Sequence, residues 1–222
     1  MKKMLLILFA LVLAANLFAP MAAADSGVPG PEDIRGHEEI VPPKKGSWLP
    51  AYETRYVCAS GGVAAFLFSE AKMDTKLAFD NVLEGTELTL LAKENDFYLV
   101  KLADRRVGWI GVGQTAEDTA LLDSVPDLSE GSWIYERGDG ERNCFAVRFT
   151  EGRKATMLRS SDGARIGSSW ILSGRRVRLD NRYFIWDGEQ FVSRDEYRGP
   201  EGKIRYTIKP DAEGLYDKLA GK

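Results

Sequence analysis

Phe97-Tyr98-Leu99-Val100-Lys101-Leu102, the charged triplet Asp104-Arg105-Arg106, and Val107-Gly108-Trp109-Ile110-Gly111 form the stretch that decides the fold. Successive side chains of an extended strand point to opposite faces. Phe97, Leu99 and Lys101 therefore share one face, and Tyr98, Val100 and Leu102 share the other. The second set predicts the buried face. The triplet predicts a hairpin turn, and Gly108 permits close backbone approach or a bulge beside the Trp109 indole.

Working outward, Leu83-Glu84-Gly85-Thr86 predicts a tight turn feeding a strand over 88–91, which Asn95-Asp96 divides from the next. Upstream, 56–59 and 63–68 read as two more strands, followed by a polar loop holding Lys72, Asp74 and Lys76. About five short strands within residues 51–113 predict a compact small barrel.

These residues carry a resemblance. Leu83-Glu84-Gly85-Thr86, Phe97-Tyr98-Leu99-Val100 and Val107-Gly108-Trp109-Ile110 resemble the loop-end turn, aromatic strand and glycine-tryptophan strand of bacterial SH3-like (SH3b) domains. Ala65-Phe66-Leu67-Phe68 departs from that family, which carries an asparagine and an arginine in the corresponding strand. The resemblance implies attachment to peptidoglycan or to envelope peptides, with Glu70, Asp74, Thr75, Tyr98 and Trp109 as ligand contacts. The size of the Trp109 indole equally suits a place in the core.

Residues 114–130 turn acidic, with Thr115 and Glu117-Asp118 placed to start a short helix through Leu122, and they predict a connector. From Gly131 to Lys209 strand patterns resume, punctuated by Asp139-Gly140, Glu151-Gly152, Asp162-Gly163, Ser173-Gly174 and Asp187-Gly188. The apolar positions alternate, which predicts a second antiparallel unit, a β-meander or small barrel, burying Trp133, Phe145, Val147, Phe149, Ile171, Val177, Leu179, Phe184 and Trp186. Gly131-Ser132-Trp133 followed by such strands faintly resembles the opening of small lipocalin-like barrels. A helical tail is expected over 210–222.

The ends and the charge set the context. Lys2 and Lys3 precede an uncharged apolar run over 4–18, and Ala22 and Ala24 suit a signal peptidase. The run falls short of the roughly 20 residues a membrane span needs. Cleavage near Ala24 is expected, giving a periplasmic or extracellular mature chain with no transmembrane segment. Removing the leader takes away two lysines and no acids, moving the formal charge from −3 to −5 over the remaining 198 residues. That balance argues against nucleic acid as partner. Residues 25–50 carry five prolines and predict an extended arm.

Residues 130–209 run the other way, with sixteen basic against twelve acidic side chains. Arg175, Arg176, Arg178 and Arg182 could form an anion-binding surface, or could pair with Asp180 and glutamates as an ordinary solvated strand face. The only two cysteines, Cys58 and Cys144, could join the two units by a disulfide in an oxidising compartment. The single histidine, His37, has no metal-binding companion, and no nucleotide loop or nucleophile elbow occurs. The sequence therefore predicts neither cofactor nor metal, and an all-β, non-catalytic binding or assembly module of the cell envelope. Its expected partners are peptidoglycan, a peptide or a protein. The contrasting readings are a hydrolase using paired carboxylates and a structural accessory subunit of a larger complex.

Overall fold

The computed structural model describes residues 27–137, 144–193, 197–199 and 202–221. The expected leader and its cleavage site at Ala24 lie outside them, as does Asp139-Gly140. Seven strands form the first sheet: β1 (Trp48–Val57), β2 (Ala64–Phe68), β3 (Ala78–Leu83), β4 (Glu87–Glu94), β5 (Phe97–Lys101), β6 (Val107–Gly111) and β7 (Thr115–Ala116). Their spatial order is β3-β2-β6-β5-β4-β1-β7, so β3 and β7 are free ends and the sheet is open.

This corrects the expected SH3-like barrel, and the physical reason is visible in the strands that suggested it. Alternation along β5 was expected to leave one face dry, but both faces are buried. Tyr98 and Val100 join Leu67, Leu88, Leu90 and Ile110 in one cluster, while Phe97 and Leu99 join Phe68, Leu91 and Trp109 in a second. A small barrel has a single interior; a sheet that is apolar on both faces needs a cover on each.

The second face is covered by the segment expected to be an extended arm. Pro31–Ile34 makes a 3-10 turn, and Ile34 and Ile40 pack onto the Trp109 cluster. Polar contacts fix this cover. Trp109 Nε1 donates to the Val41 carbonyl at 3.0 Å, and buried Asp33 accepts from the Gly30 N–H (3.1 Å), Tyr52 Oη (3.0 Å) and Lys101 Nζ (3.0 Å). Lys101 thus snorkels from the end of the buried face to an acid on the arm.

The second unit is a closed, all-antiparallel barrel. It comprises β8 (Trp133–Arg137), β9 (Phe145–Thr150), β10 (Lys154–Arg159), β11 (Arg165–Ser173), β12 (Arg176–Leu179), β13 (Arg182–Trp186), β14 (Phe191–Ser193) and β17 (Tyr206–Pro210). A separate hairpin, β15 (Tyr197–Gly199) with β16 (Gly202–Ile204), interrupts the sequence between β14 and β17. Eight strands enclose a space that side chains can fill, and Trp133, Val147, Phe149, Met157, Val177, Leu179, Phe184, Trp186, Phe191 and Ile208 fill it. Ile171 departs from expectation: it lies opposite Arg178, while its neighbours Trp170 and Leu172 pack onto the core.

The connector closes one end of the barrel. After a single helical turn, α1 (Ala120–Asp123), fully buried Leu128 inserts into the core with Leu121 and Val125 beside it. Trp133 Nε1 donates to the Leu128 carbonyl (3.1 Å) and Trp186 Nε1 to Ser124 Oγ (2.9 Å). At the carboxyl end α2 (Leu215–Ala220) lays Tyr216 and Leu219 over Ala146 and Leu158 on the barrel exterior. No helix among the described residues is long and apolar enough to cross a membrane.

Candidate functional site

The four arginines, which the sequence allows either as one anion-binding surface or as an ordinary solvated strand face, separate into three environments. Arg175 is a structural clamp between the two units. Its Nε donates to Glu84 Oε1 at 2.7 Å and its backbone N–H to Glu84 Oε2 at 3.0 Å, with the side chains only 7% and 2% exposed. Its Nη1 and Nη2 each donate to a carbonyl, that of Trp186 (3.2 Å) and that of Ala59 (2.8 Å). Buried charges are tolerable when paired and hydrogen-bonded, and here each of the three guanidinium nitrogens donates one bond. The neighbouring Gly174 has φ 56°, and a Cβ there would stand 2.5 Å from the Gly62 carbonyl oxygen. Only glycine fits that junction.

Arg176 and Arg178 lie on the outer barrel wall. Arg182 sits opposite inward-facing Leu179, with its guanidinium 3.6 Å from the Tyr206 ring centroid. There Tyr135 stacks on both Phe145 (5.9 Å) and Tyr206 (5.8 Å), making an aromatic array away from the connector end. Burial raises the Tyr135 phenol above its ordinary pKa, against the lowering field of Arg182.

The SH3-derived contacts do not assemble into a groove. Tyr98 pairs with Ile110 while Leu99 pairs with Trp109, so the two aromatics occupy opposite faces, and both are buried. The 70–75 loop lies on the Trp109 side, where Ala71 and Leu77 pack onto the same cluster as the indole. Asp74 Oδ1 accepts the Lys76 N–H (3.0 Å), Glu70 is half-buried, and Thr75 is exposed. The peptidoglycan reading rested on the resemblance alone and falls with it.

Both cysteines are free, so the expected bridge is not formed. Cys58 follows β1, its N–H bound to the Gln114 carbonyl, whereas Cys144 precedes β9 on the far unit. Cys144 lines a cleft of about 790 Å³ with Ile134, Glu136, Ser160, Lys209 and Leu215. Three of its charged groups are engaged: Lys209 Nζ donates to Glu136 at 2.6 Å, and Asp211 caps the N–H groups of Leu215 and Tyr216. Burial pushes the Asp211 carboxyl up, but bonds from the Tyr216 and Leu215 N–H groups and the Ser132 hydroxyl outweigh it and hold the pKa below the usual range.

The strongest unexplained surface is one the sequence reading passed over. Four of the seven large apolar side chains exposed among the described residues lie on the β2–β3 hairpin: Phe66 (59%), Met73, Phe79 and Leu83 (66%). Register puts Ala64 opposite Leu83 and Phe66 opposite Asn81, so Phe66 and Leu83 share a face. The signal was present in the unbroken apolar run Ala64–Phe68, whose alternate members cannot all enter one core. The edge beside them is guarded. The Asn81 N–H binds Asp80 Oδ1 (2.7 Å) and its carbonyl accepts from Arg106 Nη1 (3.1 Å). Arg106 also donates to Asp80 at 2.7 Å, which with the Asn81 N–H holds that carboxyl below its usual pKa.

No group of three or more histidine, cysteine, aspartate or glutamate side chains placed to hold a metal occurs among the described residues. Comparison with protein-family models, with curated proteins and with solved structures finds no match to this chain.

Proposed function

We propose that this chain is an exported, non-catalytic recognition protein that takes an apolar segment of a peptide or protein partner on its β2–β3 hairpin. The observation that carries this reading is the concentration of Phe66, Met73, Phe79 and Leu83 on one exposed hairpin, whereas among the described residues the other strands expose only Ile166 of their large apolar side chains. Exposed apolar groups gathered in this way mark interaction surfaces. Export rests on the charged start, the apolar run and the small residues before Asp25.

The guarded edge narrows the mode of recognition. An added strand needs free backbone groups along β3, and Asp80 and Arg106 already occupy those of Asn81. The partner therefore lies across the Phe66–Leu83 face and is held by side chains. Selection from a random peptide library against the chain from Asp25 onward tests this. The expected outcome is enrichment of peptides with two or more large apolar residues, bound about tenfold more weakly, or about 1.4 kcal/mol, by the Phe66→Ser/Leu83→Ser double variant. No enrichment, or enriched peptides indifferent to that variant, would overturn the reading.

A further inference from the structure

We propose that the outer barrel wall formed by Arg176, Arg178 and Tyr183 binds an extended acidic segment of a partner protein, one carboxylate per guanidinium. This surface lies on the barrel, and at its Arg176 end it abuts Gly62, just before the β2–β3 hairpin.

Arg176 and Arg178 alternate along β12, so both point away from the core side chains Val177 and Leu179. Their cross-strand neighbours carry no charge: Arg176 stands between Ser173 and Ile185, and Arg178 between Ile171 and Tyr183. The acid expected to neutralise them does not. Asp180 turns to β11, where Oδ2 accepts Ser168 Oγ (2.6 Å) and Oδ1 accepts the Ser169 N–H (3.0 Å). Neither arginine side chain makes an ion pair or hydrogen bond with the described residues. Among the described residues the Arg176 guanidinium meets the Tyr183 ring, its carbon 5.0 Å from the centroid, and that contact leaves the donors free.

Two residues of strand separate the arginines by about 7 Å, which is also the spacing of alternate side chains in an extended peptide. A guanidinium presents paired donors that match a carboxylate. An extended segment with acids at every second position therefore meets both arginines in register. Half-buried Ile171 flanks them and offers apolar contact to the intervening residue, while Ile185 packs beside Gly62 of the first unit. Charge complementarity thus selects the occupant, on a wall whose basic character contrasts with a chain of net charge −3.

Fluorescence anisotropy with a labelled peptide alternating glutamate and threonine, and with the same residues arranged in two blocks, tests the proposal. The alternating peptide is expected to bind the chain from Asp25 onward several-fold more tightly than the blocked one, and to weaken as salt rises. Arg178→Gln is expected to weaken it about tenfold and Arg178→Lys less, since the lysine keeps charge without the fork. Arg182→Gln, beside Tyr206, and Phe66→Ser/Leu83→Ser should leave it unchanged, which separates this surface from the hairpin. Vesicles of phosphatidylglycerol form the competing arm. Absence of peptide binding, equal affinity for the two peptides, an Arg176→Gln/Arg178→Gln variant of unchanged affinity and native circular dichroism, or binding to vesicles alone would each overturn it.

Discussion

Leu99 in the first sheet and Phe184 in the barrel are both shielded completely from solvent, but by different means. Phe184 is kept dry by its own sheet, which curls until β17 meets β8, so that strands form the whole wall and only one end needs the Leu128 plug. Leu99 belongs to a sheet that never closes and depends on segments outside it, namely the arm around Ile34 and Ile40 and the loop bearing Ala71 and Leu77. Closure by pairing removes exposed strand edges; closure by covering leaves them, which is why the open sheet guards β3 with Arg106 and Asp80. The bare apolar face also lies on the unit that depends on a cover, at strands the cover leaves exposed.

The strongest way to break this comparison is to ask whether the units are independent at all. Arg175→Met strands buried Glu84 without its cation, and is expected to cost about 3–5 kcal/mol in urea unfolding. Adding Glu84→Gln should recover part of that loss. If Arg175→Met left stability unchanged, the clamp would be decorative and the units separable. Leu128→Ala probes the plug: it should cost about 2–5 kcal/mol, with the barrel tryptophans reporting the loss. Asp33→Ala probes the cover. It leaves Lys101, Tyr52 and the Gly30 N–H without their acceptor, for about 1–3 kcal/mol, and hydrogen exchange should rise in β5 and β6 before it rises in the barrel.

The smallest effect lies at the carboxyl end. Asp211→Ala removes the acceptor for the α2 N–H groups and should cost about 1 kcal/mol. Because the folded Asp211 pKa is depressed, its contribution is present above the unfolded value of about 3.9 and is lost as pH falls through the folded value. Wild type and variant should therefore converge in stability on acidification. A difference that persisted at low pH would assign the effect to packing.

The sequence made the strands legible because alternation and turn chemistry act over a few residues: Gly85 does occupy the turn into β4, with φ 81°. Closure was less legible, since it depends on contacts far apart along the chain. Alternation assigned β5 a single buried face, that of Tyr98, Val100 and Leu102, yet on the other face Lys101 reaches an acid 68 positions upstream on the arm. Arg175 looked like its neighbours Arg176 and Arg178 for the same reason, and only the approach of Glu84, 91 positions away, distinguishes it. Tyr98 and Trp109 were joined in one site by resemblance, whereas register places them on opposite faces.

Because β17 seals the barrel against both β14 and β8, the seam is made by a strand that leaves the ribosome after every other strand of the barrel. Until Tyr206 to Pro210 emerge, β8 and β14 each lack a neighbour, and every shorter chain carries two sticky margins around an aromatic interior. Premature termination or carboxyl-terminal trimming past β17 therefore yields an aggregation hazard instead of a smaller working domain.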